Sequence, residues 1–288
     1  MKGKINKNIL LNVVLVLSVL VLLFCGVQIV RSLVDYRRAG DKYDQLGDDM
    51  EDIINGTTAS ATTAAPVSDP AATSVEEPPE TTAPAPVVRE EYREMAERLH
   101  TLKEQYPDLF GWIYIKFGED QVINLPVMKG DDNNYYISHA YDGTESKSGA
   151  IFADYRNTDR RIDLNQNLIF YGHNMNNSSM FALVSSRYKQ EELFQSVPIV
   201  FYSMEGKYTF NVFSIYNAKA GEDYDRIGFA SGSLKDYCLE KQLRSFFTKN
   251  LEFDGSETIL TLVTCTNYAT DGRIIVHGVL DGYDSFYD

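Results

Sequence analysis

The chain has 288 residues, 27 basic and 41 acidic, and a formal net charge of -14. An acidic surface is poorly suited to neutralising phosphates, so we expect no nucleic-acid partner. Three cysteines are too few for a domain that depends on disulfides. The sequence shows no Cys/His spacing typical of a metal site and no glycine-rich phosphate loop, so we expect neither a metal nor another cofactor.

The N-terminal end carries one long apolar run, residues 9–30, which as a helix is long enough to cross a bilayer core of ~30 Å. The lysines of residues 1–8 favour a cytoplasmic tail and a C-terminal domain outside the cytoplasm. We therefore predict a single-pass cell-membrane protein, with residues 9–30 as a signal-anchor helix in contact with lipid. A cleaved signal peptide is the alternative, but no small-x-small cleavage site follows the run.

Two further segments precede the folded domain. Residues 31–53 are charged and are predicted to form a helical juxtamembrane segment. Residues 54–88 are rich in Thr, Ala and Pro, a composition that cannot bury a core and that predicts a disordered stalk. A random coil of this length spans roughly 30–35 Å, so we expect the domain of residues 89–288 to hang some way off the membrane.

The folded domain is predicted to be mostly β. Apolar residues at helical spacing from Tyr92 to Tyr106 indicate one helix, which Pro107 ends. One helix, about 233–247, interrupts the later strands, and Ser233 with Asp236 resembles a capping box at its start. The strand-like runs are Trp112–Phe117, Val122–Met128, Asn167–Tyr171, Ile199–Tyr202, Tyr208–Tyr216, Thr258–Thr264 and Arg273–Leu280. Many short strands with few helices favour a barrel or a sandwich.

The last two predicted strands carry a candidate reactive pair. If they form a hairpin, Cys265 ends the first strand and Arg273 begins the second, so a thiol and a guanidinium face each other at one mouth of the sheet. An arginine there can stabilise a thiolate or a developing oxyanion. The alternatives are a small apolar cysteine beside a surface arginine, or a Cys238–Cys265 disulfide, which would disable the nucleophile.

A thiol nucleophile needs a proton acceptor, and the chain has four histidines. His100 lies on the predicted N-terminal helix, and His139 follows a tyrosine-rich segment. His277 lies within the last strand and shares a face with Arg273. His173 leaves a strand just after a glycine, which suits projection into a mouth, so the pattern favours it among the four.

Taken together, these motifs resemble the sortase family, and class B sortases in particular. The resemblance covers most of residues 95–280 and includes the predicted helix before the Cys265 strand. The matching strings are Tyr106-Pro-Asp-Leu-Phe-Gly-Trp-Ile113, Leu125-Pro-Val127, Asp132-Asn-Asn-Tyr-Tyr-Ile-Ser-His139, Gly149-Ala-Ile-Phe-Ala-Asp154, Tyr171-Gly-His-Asn-Met175 and Thr261-Leu-Val-Thr-Cys265 with Arg273. One departure is that Thr266 and Asn267 follow the cysteine, where some class B members carry acidic residues.

The resemblance implies an eight-stranded β-barrel and an extracytoplasmic cysteine transpeptidase of Gram-positive bacteria. Such enzymes cleave a C-terminal sorting motif of secreted proteins, form a thioester and pass the acyl group to an amine of the cell wall or of a pilin. By the same resemblance Cys265 is the nucleophile, His173 the acid/base and Arg273 the oxyanion and substrate ligand, while Asn133 and Tyr224 line the peptide groove.

Two other functions fit parts of the pattern. An L,D-transpeptidase would also use a cysteine and an arginine, but its Ser-His-Gly-Cys signature is absent from this sequence. A catalytically inactive, stalked surface-binding module is the non-enzymatic alternative, and the joint presence of His173, Cys265 and Arg273 argues against it.

Overall fold

The computed structural model describes residues 7–61, 87–158, 161–265 and 271–288. Within these ranges the helices are α1 (Lys7–Ala61), α2 (Arg93–Gln105), α3 (Ala182–Arg187), α4 (Glu191–Ser196) and α5 (Ser233–Arg244). The strands are β1 (Leu109–Gly118), β2 (Gln121–Met128), β3 (Ile151–Ala153), β4 (Asn167–Tyr171), β5 (Ile199–Tyr202), β6 (Gly206–Lys219), β7 (Ile259–Cys265) and β8 (Gly272–Ser285).

These eight strands close into one barrel in the order β1-β2-β3-β4-β7-β8-β6-β5. The β2–β3 and β4–β7 pairs are parallel, and the other neighbours are antiparallel. Closure leaves no free sheet edge, which removes the usual site of strand-to-strand aggregation. The predicted eight-stranded barrel is confirmed, and the sandwich alternative is wrong.

Aromatic side chains fill the barrel. Phe170, Phe201 and Phe210 are fully buried, and the rings of Phe170 and Phe201 lie 5.0 Å apart. Such residues bury large apolar areas and dominate the stability of a core. The barrel is therefore a packed interior, and chemistry is confined to its rims and outer grooves.

Helix α5 covers the outer face of the strands that carry the candidate site. Its Leu234, Tyr237 and Cys238 pack in one buried cluster with Phe213 of β6 and Ile259 of β7. Because β7 is covered on both faces, its first six residues are all buried, and exposure begins only at its last residue, Cys265. The cover thus explains why the apolar residues of this strand are buried on both faces up to the cysteine.

The sequence predicted the long strands but missed the shortest elements. Strand β3 has three residues, and α3 and α4 have six each, which is too short for a periodic pattern to show. Helix α5 begins at Ser233 as predicted, but its N-cap is Gly232 at φ 81°. The Ser233 hydroxyl donates to the Ala230 carbonyl, so the predicted capping box is wrong.

Helix α1 is a single helix that includes the apolar segment Val14–Arg31, which is long and apolar enough to cross a membrane. An apolar helix so placed is consistent with a membrane anchor or a signal sequence. The helix ends at Ala61, so the predicted boundary between the juxtamembrane segment and the stalk falls inside it. Residues 62–86 of the predicted stalk lie outside the described residues.

The outer end of α1 packs on the barrel domain. Tyr43, Met50 and Ile54 are buried in the domain core. At the start of the barrel domain, Val88 pairs with Tyr287, and α1 contacts the short 3-10 helix Glu90–Tyr92. The described residues on either side of 62–86 therefore belong to elements that touch each other, and the packing of α1 on the domain fixes how the domain sits on this helix.

Candidate functional site

Two parallel strands bring a histidine and a cysteine to the same rim of the barrel. Strand β4 pairs with β7 so that Tyr171 lies beside Val263, and the Gly172 amide extends this ladder to the Val263 carbonyl at 3.1 Å. His173 and Cys265 each lie two residues beyond that pair. Because neighbouring parallel strands advance together, the two residues leave the sheet side by side.

The antiparallel partner of β7 adds the arginine. Cys265 and Arg273 are directly paired residues of β7 and β8. Directly opposed residues project from the same face, with Cβ atoms about 4.5–5.5 Å apart. Cys265 is exposed and Arg273 half-buried, so the thiol is open to solvent while the guanidinium is partly held by protein. The structure thus joins the three residues that the sequence singled out.

Cys238 and Cys265 are both free thiols, so the alternative of a Cys238–Cys265 disulfide is wrong. Cys238 lies on α5 with no exposed surface. Burial raises the pKa of its thiol to about 12. A buried thiol that keeps its proton is a structural residue and no competitor for chemistry.

The loop after β4 is fastened to the nucleophile strand. The Asn174 side chain donates its amide N–H to the Cys265 carbonyl at 2.9 Å. At the far end of the loop, the Phe181 amide donates to the His173 carbonyl at 2.9 Å. Ser178 and Met180 have φ values of 66° and 55°, a conformation that L-residues adopt only when their surroundings impose it. The loop is thus a constrained element that holds His173 near the strand end that carries Cys265.

The His173 ring is oriented by a backbone carbonyl. Its Nε2 lies 2.8 Å from the Ile137 carbonyl oxygen. A carbonyl only accepts, so Nε2 carries a proton and Nδ1 is the nitrogen left to exchange protons with reacting atoms. No hydrogen bond joins this ring to the Cys265 thiol within the described part of the chain. Such contacts often form only when substrate is bound.

The other three histidines lie elsewhere. His100 pairs with the Tyr287 hydroxyl at 3.0 Å. His139 stacks on the Tyr135 ring with centroids 4.0 Å apart. His277 shares a strand with Arg273 but is fully buried, where it bonds to Thr261 and Tyr216. None of these contacts involves Cys265, His173 or Arg273.

The buried His277 makes stability depend on pH. Burial, with Lys241 and Arg244 nearby, lowers its pKa from 6.5 to about 3. Between these values the unfolded chain binds more protons, so stability is full above pH 6.5 and is lost as the pH falls towards 3. We expect the free energy of unfolding in urea to drop by about 2 kcal/mol between pH 7 and pH 5 from this residue alone.

The matched variant for this prediction is His277→Gln, which keeps a polar group in the same place and removes the titration. Between pH 7 and pH 5, the free energy of unfolding of this variant should drop by about 2 kcal/mol less than that of the wild type. Equal pH slopes for the two proteins would show that His277 is not the source of the effect. The comparison also subtracts the contribution of the carboxylates, which both proteins share.

Tyr224, one of the two predicted groove residues, lies at Arg273. Tyr224 is 7% exposed, and the positive charge of Arg273 acts on its phenol. Burial raises the pKa of Tyr224, while Arg273 opposes the rise. From α5, the Tyr237 hydroxyl donates to the Tyr224 carbonyl at 3.0 Å. Helix α5 therefore fixes the backbone of a residue that lies near the arginine.

Asn133, the other predicted groove residue, is held by a buried carboxylate. Its amide donates to Asp154 at 2.9 Å, and its carbonyl oxygen accepts from the Tyr155 amide at 3.0 Å. Asp154 also accepts from Tyr171 at 2.9 Å and from two nitrogens of Arg156. Asn133 thus belongs to the structural network around Asp154, with no direct bond to Cys265, His173 or Arg273 among the described residues.

The Asp154 network links the two sides of the candidate groove. Burial acts to raise the pKa of Asp154, but hydrogen bonds from Arg156, Asn133 and Tyr171 outweigh it and hold the pKa below its usual value. Arg156 reaches on to the backbone carbonyl of Asp225, the neighbour of Tyr224. One buried carboxylate therefore ties the Asn133 loop, strand β4 and the Tyr224 loop together.

Sequence reasoning assigned no role to three residues that organise this rim: Asp154, Tyr171 and Asn174. All three stand in strings that carry the family resemblance, which was the available signal. Within the described ranges no group of three or more His, Cys, Asp or Glu residues is arranged to hold a metal. Thr266 and Asn267, which raised the question of an acidic residue beside the cysteine, lie outside the described residues.

A closed mixed barrel with a thiol, an imidazole and a guanidinium at one rim is the arrangement of a cysteine acyl-transferase. The chain matches the sortase domain family over residues 123–281, and it belongs to that family of cysteine transpeptidases.

The individual relatives are sortases B. The chain is 30% identical to sortase B of Listeria monocytogenes over 65% of this chain and 75% of that protein. It resembles the X-ray structure of Clostridium perfringens sortase B with a TM-score of 0.57 and 31% identity, over 64% of this chain and 99% of that one. The Staphylococcus aureus sortase B–substrate complex shares the fold, with a TM-score of 0.65 and 23% identity over 86% and 98% of the chains.

Proposed function

We propose that this sortase B-like transpeptidase cleaves a C-terminal sorting motif of secreted proteins and joins the acyl fragment to an amine of the cell wall or of a pilin. The observation that carries the proposal is the register at the rim. Cys265 is paired with Arg273 across β7 and β8 and lies beside His173 across β4 and β7. The S. aureus sortase B that shares this fold has been solved as a complex with substrate, which supports a substrate-binding groove here.

In the proposed reaction Nδ1 of His173 takes the proton of the Cys265 thiol, so the starting state is a thiolate beside an imidazolium. The thiolate attacks the scissile carbonyl carbon, and the oxyanion that forms accepts hydrogen bonds from Arg273. As the tetrahedral intermediate collapses, the C–N bond breaks and His173 gives a proton to the leaving amine. The product is a thioester on Cys265. The acceptor amine then attacks this thioester, loses a proton to His173 and releases the thiolate, which restores the starting state.

The neighbours of these residues have supporting roles in this scheme. Tyr224 lies near the Arg273 guanidinium and, with Asn133, lines the peptide groove. The Ile137 carbonyl accepts a hydrogen bond from Nε2–H of His173 and so orients the ring. Nδ1 is then the nitrogen that faces the reacting atoms. The guanidinium of Arg273 presents several N–H donors in one rigid plane. This arrangement suits a carbonyl oxygen or an oxyanion better than the ammonium of a lysine would.

The same proposal sets the protein in the cell membrane. Residues 1–8 form the cytoplasmic tail, residues 9–30 cross the bilayer as a signal anchor, and residues 89–288 act outside the cytoplasm. The partners are then a secreted protein with a sorting motif and an amine acceptor, either a peptidoglycan precursor or a pilin. The apolar, exposed surface of α1 over Val14–Arg31 supports this placement.

The test is the intact mass of the full chain in detergent after incubation with sorting-motif peptides of the LPxTG and NPxTN types. We expect a mass gain equal to the acyl fragment for the wild type and for Cys238→Ala, which removes only a buried thiol. Cys265→Ala and the alkylated protein should gain nothing. A thioester is sensitive to hydroxylamine, so the adduct should disappear when that amine is added.

The outcomes separate the substrate from the mechanism. An adduct with one peptide class names the motif. A wild type that reacts with a small alkylating reagent at Cys265 but forms no adduct would refute the substrate assignment. A Cys265 that reacts with neither, or a Cys265→Ala variant with full transpeptidation, would favour the inactive binding module.

A further inference from the structure

The outer part of α1 is built into the domain core through apolar and polar contacts. Tyr43 is 5% exposed and Met50 is fully buried. The Asn124 side chain of β2 donates to the Gly47 carbonyl at 2.7 Å, and Arg98 of α2 pairs with Asp49 at 2.9 Å. Contacts of this kind along three turns of helix make the segment 42–54 part of the folded domain.

Tyr43 makes the contact that leads towards the site. Its hydroxyl donates to the Gly149 carbonyl at 2.9 Å and accepts from the Tyr141 amide at 3.2 Å. Its ring packs edge-on against Tyr141 with centroids 5.1 Å apart. Burial raises the pKa of Tyr43 far above its ordinary value, so the hydroxyl stays protonated and can serve both partners. The tyrosine thus fixes two points of the segment 141–149.

Gly149 transmits this position to the peptide groups of Tyr136 and Ile137. It has φ 57°, and a Cβ on it would lie 2.5 Å from the Tyr136 oxygen and 2.7 Å from the Ile137 oxygen. The next amide, that of Ala150, donates to the Tyr136 carbonyl at 3.0 Å. With backbone packed directly on backbone, a shift of Gly149 must move these carbonyls.

The Ile137 carbonyl is the group that orients His173, at 2.8 Å from Nε2. A continuous path of close contacts therefore runs from Tyr43 through Gly149 and Ile137 to the His173 ring. We propose that Tyr43 is a positioning residue for His173, through which the membrane helix takes part in catalysis. This inference rests on the proposed function of His173 as the acid/base.

The variant Tyr43→Phe in the full chain tests the path, because it removes the hydroxyl and keeps the ring. We expect kcat to fall by about 10- to 100-fold with KM within about twofold, since small misplacements of a catalytic group have effects of this size. The ring nitrogens of His173, followed by ¹⁵N NMR, should lose their single Nε2–H tautomer, because Ile137 no longer holds it.

The matched control is Tyr188→Phe, which also deletes a buried hydroxyl. Tyr188 is fully buried and donates to the Val197 carbonyl at 3.3 Å, a contact outside the path to His173. Both variants should lower the unfolding midpoint by roughly 2–6 °C, but only Tyr43→Phe should change kcat and the tautomer.

Two results would overturn the inference: an unchanged tautomer in Tyr43→Phe, or an equal loss of kcat in both variants. The NMR readout needs no turnover, so it keeps its meaning if the proposed reaction itself fails. A shifted tautomer in a protein without transpeptidase activity would sustain the structural path and refute only the proposed function.

Discussion

Replacing His173 by alanine is expected to lower kcat/KM for a sorting-motif peptide by about 10²–10⁴-fold, the usual contribution of a general acid/base. The loss should fall mainly on kcat, because the ring acts on protons that move in the transition state rather than on ground-state binding. Steady-state transpeptidation by the full chain in detergent is the measurement. Added imidazole should restore part of the rate, since the variant leaves a cavity at an exposed rim.

The controls are the other surface histidines. His139→Ala removes a ring stacked on Tyr135 in the same neighbourhood, and His100→Ala removes one that bonds to Tyr287. Both should keep activity within about threefold, because neither ring bonds to Cys265, His173 or Arg273. A His139→Ala variant as slow as His173→Ala, or His173→Ala at full rate, would show that the proton-transfer role is wrongly assigned.

The sequence was informative about the barrel because its strands follow a few local rules. Asn167–Tyr171 and Ile199–Tyr202 have the predicted bounds, since each is a short apolar run between turn residues. The strand that ends in Cys265 was also predicted, because its buried residues include Ile259, Leu260, Leu262 and Val263 in one short run. The strand that places the Cys265 thiol at the rim could therefore be predicted from its own sequence pattern.

The packing of α1 on the domain was not predicted. Tyr43, Leu46, Met50, Ile53 and Ile54 turn one apolar face to the core. They recur at helical spacing, so the sequence does carry the pattern of a packed helix, but that pattern does not identify the surface on which the helix packs. The contact joins residues about a hundred positions apart, such as Tyr43 and Gly149, and no local rule predicts such pairs.

The Asp154 network was hidden for a related reason. Its four members, Asn133, Asp154, Arg156 and Tyr171, come from separate loops and a strand. A buried carboxylate is costly unless it is hydrogen-bonded, and its partners become evident only when the fold brings them together. The resemblance predicts that Asn133 lines the peptide groove, and the structure adds that its amide is engaged by Asp154.

Replacing Arg273 by lysine is expected to lower kcat/KM by about 10²–10³-fold, the range seen when one oxyanion donor is lost. Lysine keeps the charge opposite Cys265 but lacks the planar set of donors that suits a carbonyl oxygen. If the proposed role is right, Arg273→Ala should be hardly worse than Arg273→Lys. Turnover and the alkylation rate of Cys265 by iodoacetamide are measured on the same samples.

The two readouts distinguish an oxyanion donor from a charge that merely assists the thiol. If Arg273 acts on the oxyanion, alkylation should stay within about threefold of wild type while turnover falls, because alkylation of a thiol by iodoacetamide forms no tetrahedral oxyanion. Arg226→Lys, in the loop that carries Tyr224 and paired with Asp223, is the matched control and should change neither rate by more than about threefold. Parallel losses of alkylation and turnover in Arg273→Lys would place its effect on the thiolate instead, and the oxyanion would then need another donor.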